Sequence, residues 1–393
     1  MFVELHILQN FAPCNLNRDD TGSPKDCQFG GYRRARVSSQ CWKRAIRKAF
    51  EKYELVEPEK LAKRTKRLVE EVGGRLCEMD ASRTEEAAQA VATAALQGIG
   101  LGVGKEAKTE YLVFAGEREI GRLAEVCHQN WGALAQAVSA EAGEKAEKGA
   151  KEKKRAKKEA VPREVQDALR ATLDGGRAVD LALFGRMVAD ARELSVDAAS
   201  QVAHAISTNR VSTEFDYYTA IDDLKPEETP GADMLGTVEF NSACFYRYAN
   251  VDLGQLRENL QGDGELARRG VEAFLRAAVL AVPTGKQNSM AAQNPPSFVM
   301  VVVREAGLWS LANAFSDPVG PEAEGDLVEK SIRRLDEYWK KLGTMYGTAG
   351  VKYVGVTTLH PEGLDSLKGD ATEGLDALIG AVSREAFGGA AEA

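Results

Sequence analysis

FVELHILQN at residues 2–10 and SSQCWKRAIRKAF at residues 38–50 are the two stretches that decide the fold. The first alternates its side chains between two sides, which is the period-two pattern of a core β-strand. The second places apolar residues at helical spacing from Trp42 to Phe50, so it predicts an amphipathic helix capped by one of its two leading serines. Strand, long loop and helix in this order are typical of the start of a split β-α-β fold.

The chain changes character after this helix. Residues 57–180 contain several segments with helical periodicity and one possible short strand, TEYLVFAG at 109–116. Residues 141–162 are mainly Ala, Lys and Glu, so they predict either a solvated helix or a mobile loop. We interpret the whole region as a helical insertion.

A long β-hairpin is predicted next. Residues 180–190 and 195–207 are expected to continue as helix, whereas residues 209–222 and 237–251 are rich in β-branched and aromatic residues and predict strands. The polar segment between these strands contains Pro and Gly and is longer than the usual hairpin turn. It is therefore expected to project from the body of the protein.

The C-terminal part returns to mixed helix and strand. We expect a helix at 268–282, a fully buried strand at 297–305, a helix at 324–342, a strand at 351–358 and a disordered tail at 387–393. The overall prediction is an α+β protein.

Composition sets limits on function. The chain has 393 residues and a net charge of −8, which by itself argues against nucleic-acid binding, although the placement of charge matters more than its sum. No segment is long and apolar enough to span a membrane and the first residues do not form a signal peptide, so a cytoplasmic protein without membrane contact is expected. The six cysteines show no C-x-x-C spacing, and we expect neither a metal site nor a cofactor.

The first basic cluster lies in residues 27–50, which contain seven basic residues and no acidic one. On the predicted helix, the basic residues at i, i+4 spacing form two positive stripes beside the helix start, an arrangement suited to phosphate. The alternative is an ordinary solvated face. The seven residues are Arg33, Arg34, Arg36, Lys43, Arg44, Arg47 and Lys48.

Two further segments suggest binding without proving it. Residues 145–158 contain eight basic and two acidic residues, which suits either a solvated linker or diffuse attraction to duplex DNA phosphates. VPTGKQNSMAAQNPP at 282–296 fails the phosphate-loop pattern of ATPases, because Leu280 and Gln287 stand where that pattern requires Gly and Ser or Thr. This segment is either a plain surface loop or a set of donors to an RNA backbone.

The hairpin and the first loop carry the remaining candidates. Apolar residues at or near the polar hairpin tip suggest contact with a partner or with bases, and packing against the insertion is the alternative. These residues are Tyr217, Tyr218, Met234 and Leu235. The carboxylates of Asp19, Asp20 and Asp26 would be able to bind a divalent ion for RNA cleavage. We favour the alternative that they cap the loop and pair with Arg18 and Lys25.

Sequence blocks spread over nearly the whole chain resemble the CasC family, the multi-copy backbone subunit of type I-E CRISPR Cascade. The block at 25–48 is very specific. The blocks are LNRDD (16–20), KDCQFGGYRRARVSSQCWKRAIRK (25–48), ALFGRM (182–187), DAASQVAHAIST (197–208), DYYTAIDDL (216–224), LGTVEF (235–240), FYRYANVDL (245–253) and PTGKQNS (283–289).

The resemblance implies a shape like a right hand. An RRM-like (ferredoxin-like) palm would consist of residues 1–56, 181–208 and 241–386, with helical fingers at 57–180 and a β-hairpin thumb at 209–240. Copies of the chain would stack in a helical filament along the CRISPR RNA, together with the other Cascade subunits. Each thumb would displace one base of the guide, and the remaining bases would pair with the target DNA strand in antiviral defence.

The resemblance also implies roles for individual residues and a protein that is not an enzyme. A metal-dependent ribonuclease that uses Asp19, Asp20 and Asp26 is the alternative. RNA phosphates would be held by Arg18, Lys25, Ser38, Gln40, Lys43, Arg44 and Arg47, with a second backbone contact from Lys286, Gln287 and Ser289. The displaced base would be framed by Met187, Tyr218 and Leu235. Duplex DNA would be touched by Lys151, Lys153, Lys154, Arg155, Lys157 and Lys158.

Overall fold

The computed structural model describes residues 1–143, 160–220, 234–320 and 325–388. The chain divides into two compact units. The sheet unit consists of Met1–Leu55, Gln201–Asp252 and Val271–Ala393, and the helical unit consists of Val56–Ser200 and Leu253–Gly270. Within the described ranges, no helix is both long enough and apolar enough to cross a membrane.

The elements alternate irregularly along the chain. The strands are β1 (Phe2–Cys14), β2 (Asp26–Phe29), β3 (Tyr32–Val37), β4 (Ala62–Thr65), β5 (Val113–Gly116), β6 (Ser200–Val202), β7 (Ala205–Ser207), β8 (Glu214–Ala220), β9 (Met234–Asp252), β10 (Phe298–Arg304) and β11 (Val351–Thr358). The helices are α1 (Ser39–Lys52), α2 (Leu68–Met79), α3 (Glu85–Gly98), α4 (Glu117–Gln129), α5 (Trp131–Gly143), α6 (Arg163–Thr172), α7 (Val179–Phe184), α8 (Leu253–Asn259), α9 (Gly264–Leu280), α10 (Gln287–Met290), α11 (Leu327–Tyr346) and α12 (Leu375–Phe387).

One main antiparallel sheet organises the sheet unit. Its order is β11-β10-β1-β9-β7-β3-β2, and β6 and β8 pair with β9 outside this path, which gives nine strands among the described residues. The central strand β1 pairs with both β9 and β10, so that Leu5 lies opposite Ala249 and Val301. The protein is therefore a mixed α/β protein with a main antiparallel sheet, as the α+β prediction requires.

Alternation along β1 explains how helices cover both faces of this sheet. Leu5 and Ile7 point to the face that packs against Trp42 of α1. Leu8 points to the opposite face and belongs to the core cluster that contains Ile332 of α11. Because successive strand residues point to opposite faces, a strand covered on both faces is buried throughout, and all seven residues of β10 are buried as predicted.

The helical unit has its own core. Buried apolar residues of α2, α3, α4 and α6 form one cluster, which includes Leu76, Val91, Leu123 and Leu169. Strands β4 and β5 form a separate two-stranded sheet. The predicted short strand at 109–116 is thus confirmed, although it begins only at Val113.

Three sequence-based expectations are wrong, at least in part. The helix expected at 180–190 ends at Phe184, because Gly185 adopts a positive φ. Residues 195–207 were expected to be helical, but they contain β6 and β7, both of which pair with the long strand β9. Pairing with an existing strand outweighs a short helical pattern, since strand preference depends strongly on context. The expected long loop after residue 10 is also partly extended, because β1 continues to Cys14 and β2 and β3 form a hairpin.

The predicted long hairpin is confirmed in its two arms. Strand β8 pairs with the first part of β9, from Glu214 opposite Phe240 to Ala220 opposite Met234. The polar tip at 221–233 lies outside the described residues, and so do the lysine-rich segment at 144–159 and the last five residues at 389–393.

Candidate functional site

Helix α1 exposes Arg44, Lys48 and Lys52 because its apolar face is anchored in the core. Trp42, Ile46 and Phe50 are buried on the inner side. Ser38 caps the start of the helix, and its Oγ accepts a hydrogen bond from the Cys41 N–H at 3.4 Å, as predicted for a capping serine. The Ser38 N–H donates to Asn17 Oδ1 at 2.9 Å, which ties the start of the helix to the preceding loop.

A groove of about 840 Å³ runs beside this helix within the sheet unit. Its walls are the outer side of α1, the loop at 16–19 and the segment at 280–293. We call it the α1 groove. Three of the predicted RNA-binding residues line it together: Arg18, Arg44 and Gln287. The charged residues along its lining are Arg18, Asp19, Arg44, Lys48, Glu51 and Lys52, so that four cations face two anions.

The wall opposite α1 is fixed by internal hydrogen bonds and by close backbone packing. Gln287 Nε2 donates to the Pro283 carbonyl at 2.9 Å, and Gln287 Oε1 accepts a hydrogen bond from Gln293 at 2.8 Å. A Cβ atom on Gly285 would lie 2.4 Å from the Leu16 carbonyl oxygen, so only glycine fits there without a shift of the backbone. The predicted contact Gln287 therefore shapes the loop as well as lining the groove.

Gly285→Ala should push the 280–293 segment away from the backbone of Leu16 and destabilise the protein. Because the new methyl group meets backbone rather than a flexible side chain, we expect a loss of about 1–3 kcal/mol of unfolding free energy, typical of overpacking. Urea unfolding monitored by tryptophan fluorescence measures the loss. Gly369→Ala is the matched control, because no atom lies within 4 Å of the position where its Cβ would be. Equal unfolding midpoints for the two variants would contradict this account of the wall.

Other predicted RNA-binding residues lie outside the lining of the α1 groove. Lys43 is half-buried, and burial lowers the pKa of its ammonium. Lys25 lies beside Arg36, whose Nη1 is 3.2 Å from His204 Nδ1. Burial lowers the pKa of His204, and the positive charges of Arg36 and Lys25 lower it further. The remaining predicted residues outside this lining are Ser38, Gln40, Arg47, Lys286 and Ser289.

The first basic cluster presents fewer cations to solvent than its count suggests. Arg34 is completely buried, and its guanidinium donates to the carbonyl oxygens of Ser207 at 2.8 Å and Phe315 at 2.6 Å. Arg33 forms an ion pair with Asp26, and Lys48 pairs with Glu51 at 3.0 Å. The interpretation of all seven residues as one phosphate-facing cluster is therefore wrong for Arg34, which stabilises the fold.

Two of the three acidic candidates of the first loop, Asp19 and Asp26, have structural partners. Asp19 accepts hydrogen bonds from the Thr21 hydroxyl at 2.7 Å and the Ser23 N–H at 3.0 Å, and the Thr21 bond is the largest cause of its lowered pKa. This confirms the predicted loop capping. The ion pair of Asp26 is with Arg33 and not with the predicted Arg18 or Lys25. Across the described ranges, no three His, Cys, Asp or Glu side chains are grouped so that they could hold a metal ion.

The residues expected to frame a displaced base are exposed where the structure describes them. Met187 of the helical unit is 89% exposed. Tyr218 on the hairpin is 45% exposed and lies opposite Gly236, and its ring occupies the space that a Cβ on Gly236 would need. Leu235 pairs with Thr219 in the ladder, and its side chain lies outside the described residues.

Sequence reasoning missed several residues that line the α1 groove. Lys52 and Tyr53 at the end of α1 line the groove together with Leu280 at the end of α9. The predicted helix ends at residue 50, whereas α1 continues to Lys52. The prediction therefore does not include Lys52 or Tyr53, which follows it. A helix extended by one turn would have placed Lys52 on the same side as Lys48.

The fold and the groove define a class, namely mixed α/β proteins that carry a cationic groove beside a main antiparallel sheet. Residues 3–381 match the family profile described as CT1975-like protein, and the chain belongs to this family. It is a CasC-like backbone protein of Cascade.

Solved structures support this membership. A chain of a "CRISPR RNA-guided surveillance complex, pre-nicking" is 32% identical, with 98% of this chain and 100% of that chain covered and a TM-score of 0.82. A chain of another "CRISPR RNA-guided surveillance complex" is 29% identical, with 98% and 99% covered and a TM-score of 0.70. Among curated protein sequences, none matches this chain.

Proposed function

We propose that this chain is the non-catalytic subunit that holds the CRISPR RNA in a type I-E Cascade complex. The observation that carries the proposal is the α1 groove, in which Arg18 and Arg44 line one open channel with Gln287. Lys43 and Arg47 belong to the same helix and extend its basic side beyond the groove. A phosphate backbone is the extended polyanion that such a wall suits, since Arg offers planar donors that match phosphate oxygens.

The proposed function requires that the protein binds the phosphates of the RNA and leaves its base edges free. In RNA-guided complexes the guide reads the target by Watson–Crick pairing, so the protein must leave those edges accessible. Backbone contacts position a nucleic acid without carrying sequence information. The net charge of the whole chain is −8, which would limit nonspecific binding of nucleic acid elsewhere on the surface.

The proposed partners follow from the resemblance to Cascade subunits. They are the CRISPR RNA, the target DNA strand, duplex DNA, the other Cascade subunits and further copies of this chain in a helical filament. The sheet unit would supply most of the RRM-like palm, and the exposed aromatic residues of the hairpin would kink the guide beside the RNA path. The lysine-rich segment within 144–159 would add contacts to duplex DNA.

Arg44→Ala tests the proposal. We expect weaker binding of single-stranded RNA of every sequence, because the lost contact is to phosphate, and a salt slope that flattens by about 0.7. Fluorescence anisotropy with labelled RNAs of several sequences, titrated at several salt concentrations, measures both quantities. Lys341→Ala is the matched control, since Lys341 is an exposed lysine on α11 away from the groove.

Two outcomes would contradict the proposal. If Arg44→Ala and Lys341→Ala leave RNA affinity and salt slope equal to those of the natural chain, the groove is not the RNA site. If the assembled complex cleaves complementary RNA with Mg²⁺, and Asp26→Ala abolishes that cleavage, the subunit is a metal-dependent ribonuclease.

A further inference from the structure

The lining of the α1 groove is not cationic throughout. Besides Arg18 and Arg44 it contains Tyr53, which follows the last residue of α1, and Leu280. Tyr53 and Leu280 are 39% and 40% exposed. Ala45 and Ala49 of α1 add two small side chains to the same lining. The cations of the lining suit phosphates, whereas the Tyr53 ring face and the Leu280 side chain offer a phosphate backbone neither charge nor donors.

The Tyr53 ring already makes a cation–π contact with its neighbour Lys52. The ammonium of Lys52 lies 4.8 Å from the ring centroid, within the range of a cation–π contact. Both side chains are exposed, so Lys52 is able to move toward a phosphate and leave the ring face to a planar base. The backbone of Tyr53 is held in place, because its N–H donates to the Ala49 carbonyl at 3.0 Å. The ring is thus an anchored aromatic surface at the edge of a cationic channel.

We propose that Tyr53 and Leu280 form a base-stacking subsite, in which one nucleobase of the bound RNA lies against the Tyr53 ring while Arg44 and Lys52 hold the adjoining phosphates. This inference rests on the proposed RNA binding and adds to it a contact with a base face. Aromatic side chains that stack on bases beside cationic channels are the general means of binding single-stranded nucleic acid without sequence reading. A stacked base keeps its pairing edge available, so the subsite agrees with guide presentation.

The first experiment separates stacking from phosphate contact by using two polyanions. Oligoadenylate carries bases, and inorganic polyphosphate of similar charge carries none. For the full chain, Tyr53→Ala should weaken oligoadenylate binding roughly 5- to 150-fold, equivalent to about 1–3 kcal/mol per stacked base, and leave polyphosphate binding unchanged. The oligoadenylate salt slope should also stay unchanged, because no charge is removed. Arg44→Ala should weaken the binding of both polyanions.

Matched variants guard against a general effect of losing a tyrosine. Tyr53→Phe keeps the ring and should bind oligoadenylate within about twofold of the natural chain, since stacking needs only the π-face. Tyr346→Ala removes a tyrosine that is 65% exposed on α11, outside the groove lining, and should have no effect. If Tyr53→Ala binds oligoadenylate as tightly as the natural chain does, the subsite is refuted. Loss of self-association with unchanged RNA affinity would instead assign the surface to a second copy of the chain.

A second experiment needs no substitution and therefore does not depend on the folding of a variant. Single-stranded RNA that contains 5-iodouridine is bound to the natural chain, cross-linked with light and mapped by mass spectrometry. A cross-link on Tyr53 supports the subsite, and cross-links confined to other residues overturn it while the proposed function stands. Failure of the natural chain to bind any RNA would instead remove the proposed function itself.

Discussion

Glu119→Gln should lower the free energy of unfolding by about 3–5 kcal/mol, the usual loss when one partner of a buried ion pair is removed. Glu119 and Arg186 have side chains that are 0% and 2% exposed, and Arg186 Nη1 lies 2.8 Å from Glu119 Oε2. The two oxygens of Glu119 also accept hydrogen bonds from the backbone N–H groups of Gly116 and Gly175, both at 2.7 Å. Glutamine has nearly the same shape, but its NH₂ group would face one of these donors.

The remaining donors of Arg186 explain why the loss should be large. Its Nε donates to the Leu194 carbonyl at 2.7 Å and its Nη2 to the Leu173 carbonyl at 2.8 Å, so the guanidinium is held in place and cannot turn toward solvent. Neutralising Glu119 therefore leaves an unpaired charge in the interior of the helical unit. The same carboxylate joins the start of α4 to Gly175 directly and to the Leu194 segment through Arg186, so its loss loosens several elements at once.

Chemical unfolding followed by circular dichroism measures this prediction, and hydrogen exchange of the α4 amides assigns the change to the helical unit. Glu125→Gln on the same helix is the matched control, because Glu125 is exposed and surface charges contribute little. A shift of the unfolding midpoint as small in Glu119→Gln as in Glu125→Gln would show that the buried pair does not stabilise the unit.

The second large effect concerns acid, and it originates in His6 on the central strand. His6 is fully buried, and its Nδ1 lies 2.9 Å from the Tyr246 hydroxyl. Burial lowers the pKa of His6 to about 3, and the positive charge of Arg304 contributes in the same direction. The unfolded chain has an ordinary histidine pKa of about 6.5. Above this value His6 is neutral in both states, so it contributes no pH dependence to stability.

Below pH 6.5 His6 becomes protonated in the unfolded state but stays neutral in the folded state. Stability should therefore fall as the pH drops from about 6.5 toward 3, by about 1.4 kcal/mol per pH unit from this residue. Urea unfolding of the natural chain and of His6→Asn, which cannot titrate here, measures the difference. Between pH 7 and pH 5 the natural chain should lose about 2 kcal/mol more than the variant. Equal losses, or an NMR titration of His6 in the folded chain with a midpoint above pH 5, would contradict the prediction.

Much of the fold could be predicted from local pattern. The alternation at 2–10, the apolar stripe of 38–50 and the continuous apolar run near 300 correspond to β1, α1 and β10, because each pattern records which side of an element is buried. Prediction of the short elements failed because too few of their residues carry such a pattern. Strands β6 and β7 have only three residues each, and their structure depends on pairing with β9.

Prediction of the site stopped at a similar limit. The sequence identified basic residues on α1, since i, i+4 spacing is a local property of the helix. It did not distinguish Arg34 from its neighbours, because burial of that guanidinium depends on carbonyl groups at Ser207 and Phe315, far away along the chain. Nor did spacing indicate that Leu280 would lie in one groove with Tyr53.

By itself, the sequence determined the elements whose faces are marked by periodicity, the basic side of α1 and, through its motif blocks, the family of the chain. Only the tertiary structure decided which cations reach solvent, which carboxylates are occupied by loop contacts and where the α1 groove lies. The physical reason is that burial and ion pairing depend on groups brought together from distant segments, whereas periodicity reports only on neighbours along one helix or strand.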